Sequence, residues 1–378
     1  MVYIGRLSAI WLGKEATRWT AVAPSVWIAK ESGVLNPSIE SVTDESWYGV
    51  IDGVYNSFTT KNSSNLTIQG VAKDYSMWFF LLGALWKYTK VYAVAGTVTW
   101  WTPARWDVTT WWATLKKIIN DWVTTYYYFD KDVTWSVTNG TWTISATKSH
   151  AGHFFEVLQN NTHPTFTLYD DDPVAGSYAP YCMINNLELS CEVADYVKFS
   201  AEFMWKQMQP IQGSVTPAYA TENEFTASMA GVRFANDEAS LNSASEQCMQ
   251  NFRIAINKNL TDVQCFGDTD IADIYNQQFG IEWDFEAVYE STTLRDYVLN
   301  SEKKAVRFYA INTNASALAT WVYPAIYVDL MKVWFSEWTK TDSNDEIIKQ
   351  TMWFTGQYSN DDGTSIEVLL LNSDSVWY

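Results

Sequence analysis

The residues able to do chemistry are few, and their spacing is poor for it. His150, His153 and His163 lie close together, and SHAGH (Ser149–His153) separates two imidazoles by a gap that a metal could bridge. No thiolate or carboxylate stands beside them at ligand spacing, and HExxH is absent, so these are expected to be surface polar residues and not a zinc site. The acidic runs DDDP (Asp170–Pro173) and DTDIAD (Asp268–Asp273) resemble calcium loops but lack the turn glycine and closing glutamate, which predicts solvated turns. GxSxG, phosphate-loop and dinucleotide motifs do not occur. The 43 acids always offer carboxylate pairs, and none stands out as a glycosidase pair. Cys182, Cys191, Cys248 and Cys265 are too few and too irregular for a disulfide framework; they are expected to be small buried residues in a reducing cytoplasm. No catalytic, cofactor-binding or metal-binding residue is assigned, no cofactor is expected, and the chain is read as a non-enzyme.

Composition narrows the classes further. The chain has 378 residues, enough for two domains, and at 47% hydrophobic and 18% charged it is globular. Its net charge of −18 disfavours nucleic-acid gripping, which needs clustered Lys and Arg. The first residues, MVYIGRLSAIWLGKEATRWT, lack the basic segment and apolar run of a signal peptide. The most apolar run, MWFFLLGALW (Met77–Trp86), is about half a membrane span and is expected to be a buried helix. No membrane association is expected.

The elements that must position any function are mostly strands. Period-two alternation marks NLTIQGVA (Asn65–Ala72), NLELSCEV (Asn186–Val193), YVKFSAEFMW (Tyr196–Trp205), WDFEAVYE (Trp283–Glu290) and SIEVLLLN (Ser365–Asn372). Helical spacing predicts helices over DYSMWFFLLGALWKY (Asp74–Tyr88) and STTLRDYVLNSEKK (Ser291–Lys304). These helices follow similar strands: LTIQGVAKDYSMWFFLLGA (Leu66–Ala84) lies against WDFEAVYESTTLRDYVLNS (Trp283–Ser301) without a gap. Their apolar faces are expected to be Met77, Phe80 and Leu81 in one and Leu294, Tyr297 and Val298 in the other. DYVKFSAEFMWK (Asp195–Lys206) resembles EIIKQTMWFTGQ (Glu346–Gln357) in the same order but at a shorter offset. Two tandem copies follow, over 1–213 and 214–378, with an insertion at about 90–160 in the first.

The residues then suggest a family. LGKEATRWTAVAPSVWIAKESGVLNPSIESVTDESWYGVIDG (Leu12–Gly53) resembles the N-terminal segment of bacteriophage tail tube proteins. DVQCFGDTDIADIYNQQFGIEWDFEAVYESTTLRDYVLN (Asp262–Asn300) and DSNDEIIKQTMWFTGQYSNDDG (Asp342–Gly363) are similar to their C-terminal portion. The resemblance implies a mainly β fold of two tandem tail-tube-type β-sandwich domains, each with a flanking α-helix. It implies rings of three or six chains, stacked into a tube through which DNA passes without specific binding. Tape-measure, tail terminator and baseplate proteins are the implied partners, in a virion assembled in the host cytoplasm. An acidic wall suits that role, because attraction to each phosphate would act as friction.

Tryptophan complicates this reading. TVTWWTPARWDVTTWWATLKK (Thr97–Lys117) carries Trp100, Trp101, Trp106, Trp111 and Trp112 in the company that glycine keeps in turns. Tryptophan, at 21, outnumbers glycine, at 17, against about 7% glycine in an ordinary protein. Trp205 falls on Gly356 in the internal match, and Trp19 and Trp47 fall on family glycines. Trp122 and Trp142 also read as loop glycines, whereas Trp11, Trp27 and Trp377 have apolar company. The expectation is that many of these positions are glycine in the living protein, through a UGA codon read as glycine. The alternative function is a Trp-rich β-sandwich carbohydrate-binding or adhesion module, to which an Arg105-containing RGD-like triplet would belong if Trp106 were glycine.

Overall fold

The computed structural model describes residues 4–46, 48, 51, 54, 56–100, 102–110, 112–121, 124–133, 136–211, 216–342 and 347–373. Trp47, Trp101, Trp111, Trp122 and Trp377 lie outside them. The first half runs β1 (Ala9–Lys14), β2 (Val26–Ile28), β3 (Asn36–Asp44), β4 (Asn56–Val71), α1 (Met77–Leu85) and β5 (Trp86–Trp100). It continues with β6 (Leu115–Asp121), β7 (Thr124–Phe129), β8 (Val137–Thr138), β9 (Trp142–Val157), β10 (Phe166–Asp171), β11 (Ser177–Glu192) and β12 (Lys198–Trp205). After β13 (Gln209–Pro210), which ends the first half, the second opens with β14 (Ala230–Ala235), β15 (Glu246–Gln247), β16 (Met249–Asn257), β17 (Leu260–Gln264) and β18 (Ile271–Asn276). It closes with β19 (Gly280–Val288), α2 (Thr293–Leu299), β20 (Lys303–Ile311), β21 (Ala325–Thr341), β22 (Lys349–Gly356) and β23 (Ile366–Leu371). The fold is mainly β.

Alternation in the sequence becomes alternation in burial. On β12, Phe199, Ala201, Phe203 and Trp205 face the core while Ser200 and Glu202 face outward. On β19, Ile281, Trp283, Phe285 and Ala287 do the same opposite Glu282, Asp284 and Glu286. Successive side chains of an extended strand must point to opposite faces, so each strand needs only one apolar side.

Eight strands pair antiparallel in the order β3–β4–β12–β11–β16–β19–β22–β21. A second run, β14–β20–β21–β23–β9–β5–β7–β6, carries the 90–160 segment into contact with the C-terminal strand. A third, β2–β1–β10–β11, covers the start of the chain. β11 and β21 are long enough to serve two runs each, their first parts in one and their last parts in the eight-strand run. One core takes Phe203 and Trp283 from the eight-strand run, Phe308 and Ile366 from the second, and Phe79 and Phe80 from α1.

Both expected helices form, over shorter spans than predicted. α1 ends where Trp86 turns into the left-handed region, φ 69°. All nine of its residues are buried, as expected for so apolar a run, so burial extends beyond the face of Met77, Phe80 and Leu81.

Candidate assembly interface

The eight-strand run has two open edges. Among the described residues, β3 pairs only with β4, and the last part of β21, beyond Phe335, pairs only with β22. Open edges present unpaired N–H and C=O groups that template pairing with another chain. In the middle of the run, β11 and β16 form the junction between the two halves, from Asn186 opposite Asn257 to Glu192 opposite Asn251. Its core face is apolar: Leu187, Leu189 and Cys191 meet Phe252, Ile254 and Ile256. On its other face the Arg253 guanidinium donates to Glu188 at 3.0 Å and Asp284 at 2.7 Å.

That outer face is acidic. β11 presents Glu188 and Glu192, β12 Glu202, and β19 Glu282, Asp284 and Glu286, against the cations Lys198, Arg253 and Lys349.

A buried ion network ties the 90–160 segment to the second half. Arg307 grips Asp329 through two bonds, of 2.7 and 2.8 Å, with both side chains essentially inaccessible. Lys117 donates to Asp329, to Glu238 at 2.7 Å and to Glu367 at 3.4 Å. Arg105 joins Glu367 and, at 3.4 Å, Asp362. The two cations beside Asp329 hold its carboxyl far below the usual carboxylate range, against the upward push of burial. These opposite charges are paired with one another inside the protein, an arrangement suited to fixing geometry.

A family model described as phage tail tube protein matches residues 5–356. The chain belongs to that family. It is therefore a structural component of a phage tail and of the virion, in a family that is typically non-enzymatic and self-assembles into a tube. No curated protein gives a significant match. No helix among the described residues is long and apolar enough to cross a membrane.

Within this tail tube chain, several residues sit elsewhere than their sequence context implied. The three histidines are buried, not on the surface. His150 meets the Tyr128 hydroxyl at 2.9 Å, His153 meets Tyr88 at 2.9 Å and Asn372 at 3.0 Å, and His163 meets the Leu158 carbonyl at 3.2 Å. Each finds a polar partner that lets a neutral imidazole be buried, and burial pushes His150 down to about 4 and His163 to about 3. Among the described residues no group of His, Cys, Asp and Glu is arranged to hold a metal.

Asp170 is likewise no solvated turn residue. It lies buried on β10, accepting from the Leu35 N–H at 3.2 Å and pairing with Lys30 at 3.5 Å. Asp273 pairs with Arg18 at 3.1 Å. Cys182 and Cys191 are buried as expected, but Cys248 and Cys265 are exposed, since they fall on a strand margin and a turn. The Arg105 side chain is held in the ion network, so it is not displayed for adhesion.

Sequence reasoning missed the ion network. Its members are scattered from Arg105 to Glu367: the β20–β21 and β21–β23 pairings set Arg307, Asp329 and Glu367 side by side, and the β9–β23 pairing brings the 90–160 segment to them.

Proposed function

We propose that the chain is the tail tube subunit that closes into rings and stacks into the hollow conduit for DNA ejection. The β11–β16 junction carries this reading. Each half contributes four strands in the same neighbour order, β3–β4–β12–β11 and β16–β19–β22–β21. We read the halves as tandem tube units over 1–213 and 214–378, with 90–160 inserted in the first. Repeating the internal junction between copies hides both open edges and closes a barrel. Three such chains make a six-unit ring; six chains make a larger one. The acidic face of the run then lines the lumen and repels phosphate, so DNA slides without specific binding. Tape-measure, terminator and baseplate proteins are the partners, with assembly in the host cytoplasm. Negative-stain microscopy of the concentrated protein tests this: rings or hollow tubes are expected, and uniform monomers would overturn it.

The Trp-rich binding module is the second reading. A cavity of about 360 Å³ lined by Tyr126, Tyr128, Trp321 and Tyr327 is its best site. Backbone geometry weighs against it. Among the described residues, five of the nine non-glycine residues with positive φ are tryptophans: Trp19, Trp86, Trp106, Trp112 and Trp321, at 60–77°. A bulky residue there is a steric outlier.

Trp19, Trp106 and Trp321 each occupy the third position of a turn, closed by Thr20 N–H to Thr17 O, Asp107 to Ala104 and Val322 to Ala319. That position, with φ above zero, calls for glycine, as does the helix C-terminal position that Trp86 holds. We infer that these five are glycine in the phage-made protein, through UGA read as glycine. UGG codons there, or peptide masses carrying the indole, would overturn this. Trp142 and Trp205 sit in extended strands, and Trp142 donates to Asp107 at 2.7 Å, so the backbone does not call for glycine at either.

A further inference from the structure

The repeat gives more than the existence of a junction between copies: it gives the register. We propose that residues 337–341 of one copy pair antiparallel with residues 34–38 of the next, with Glu337 opposite Ser38 and Thr341 opposite Val34. This rests on the tube reading above, and it names the partner edge residue by residue.

Two correspondences fix it. In β11, Ile184 lies opposite Phe203 and the register slips by one residue before Asn186. In β21, Phe335 lies opposite Phe354 and the register slips in the same way before Glu337. A bulge is a local feature set by one extra residue, so its recurrence at the same place aligns Asn186 with Glu337. On the other side, Asn251 lies opposite Glu286 and Ala255 opposite Glu282 in the β16–β19 pair. Ser32 lies opposite Gln69 and Asn36 opposite Asn65 in the first half. Gln69 and Glu286, like Asn65 and Glu282, are equivalent in the gapless match between the two strand–helix segments. Residues 32–38 are therefore the counterpart of Asn251–Asn257.

Transferring the β11–β16 pairing onto these counterparts gives the register directly. Asn186 opposite Asn257 becomes Glu337 opposite Ser38, and Ser190 opposite Arg253 becomes Thr341 opposite Val34.

The side chains suit the pairing. On the core side, half-buried Trp338 comes to lie against exposed Pro37, where the internal junction has Leu187 against Ile256. On the other face, Thr341 meets Val34, which is 60% exposed in the single chain. No like charges fall opposite one another. Pro37 lacks one ladder donor, and the Leu35 N–H, which donates to Asp170 at 3.2 Å in the single chain, must leave that carboxylate to reach Lys340 across the junction; proline is a residue that edge strands carry against indiscriminate pairing.

Cysteine cross-linking of the full chain reads the register, in a background carrying Cys248→Ser and Cys265→Ser. Directly opposite residues hold their Cβ atoms about 4.5–5.5 Å apart and diagonal ones about 7–8 Å, so only the former closes a disulfide readily. The Thr341→Cys/Val34→Cys variant is expected to give covalent multimers on mild oxidation, and Thr341→Cys/Ser32→Cys to stay largely uncrosslinked. The single-cysteine parents check folding and assembly by microscopy. Rings whose cross-links form only in the second variant, or in neither, would overturn the register and leave the tube reading standing. Parents that stay monomeric at high concentration would overturn both.

Discussion

The helices α1 and α2 follow matching strand–turn segments, yet one is interior and the other is surface. Every residue of α1 is buried, whereas on α2 only Leu294 is. The difference lies in what covers each. α1 packs on β11 and is closed over by β5 and β9, so that Trp78 meets Tyr88 edge-on at 5.5 Å and Phe155 at 6.3 Å. α2 packs chiefly on β21, with Tyr297 against Phe335 at 5.5 Å, and its other side carries Arg295 and Asp296. The strands that bound the 90–160 segment therefore do more than decorate: they turn one helix of the pair into core.

Truncations sharpen that comparison. Phe80→Ala in α1 removes a fully buried ring packed on Phe199 at 4.4 Å and is expected to cost about 3–5 kcal/mol in urea unfolding. Leu294→Ala in α2, beside open solvent, is expected to fall near the lower limit, about 2 kcal/mol. Equal losses would break the distinction.

The charges that attach the 90–160 segment should behave like core as well. Lys117→Met removes one of the three cations that Asp329, Glu238 and Glu367 share, leaving them to Arg307 and Arg105, and is expected to cost about 3 kcal/mol or more. Lys340→Met, which removes the exposed pair with Asp342, is expected to leave the urea midpoint nearly unchanged. A mild loss at Lys117 would mean that the network is wetter than its burial implies.

Acid should also separate the halves, because all three histidines lie in the first. His150 and His163 titrate lower folded than unfolded, so their neutral burial contributes stability that is complete above pH about 6.5. It is lost as pH falls towards their folded values of about 4 and 3. The raised carboxyl groups of Glu15, Asp74 and Glu222 act with opposite sign over acidic pH. A His150→Gln/His163→Gln variant isolates the histidine part: its unfolding midpoint should fall less between pH 7 and pH 4 than that of the parent. The same slope in both would contradict the assignment.

One substitution class is expected to bring a modest gain. Trp112→Gly and Trp321→Gly relieve left-handed strain at exposed turns and are expected to stabilise by about 1 kcal/mol. Trp142→Gly, which empties a packed strand position, should destabilise.

Much of this architecture was legible in the sequence. Alternation located β4, β11, β12, β19 and β23, and the matched segments anticipated two helices after two similar strands. The all-apolar run MWFFLLGALW foretold burial, and the spacing of Leu294, Tyr297 and Val298 anticipated the face of α2 that packs on the core. The buried histidines and Asp170 were not legible, because their partners, Tyr88, Tyr128, Asn372 and Lys30, are remote in sequence. Turn tryptophans were suspect from their neighbours, but only φ distinguishes Trp106 from Trp142, both of which read as loop residues.

The central claim is that the open edges of β3 and β21 join copies as β11 and β16 join the halves. Negative-stain imaging of the purified chain beside a Trp338→Asp/Thr341→Pro variant tests it most directly. Rings or tubes are expected for the parent and folded single particles for the variant. Monomers in the parent, or undiminished rings in the variant, would contradict it.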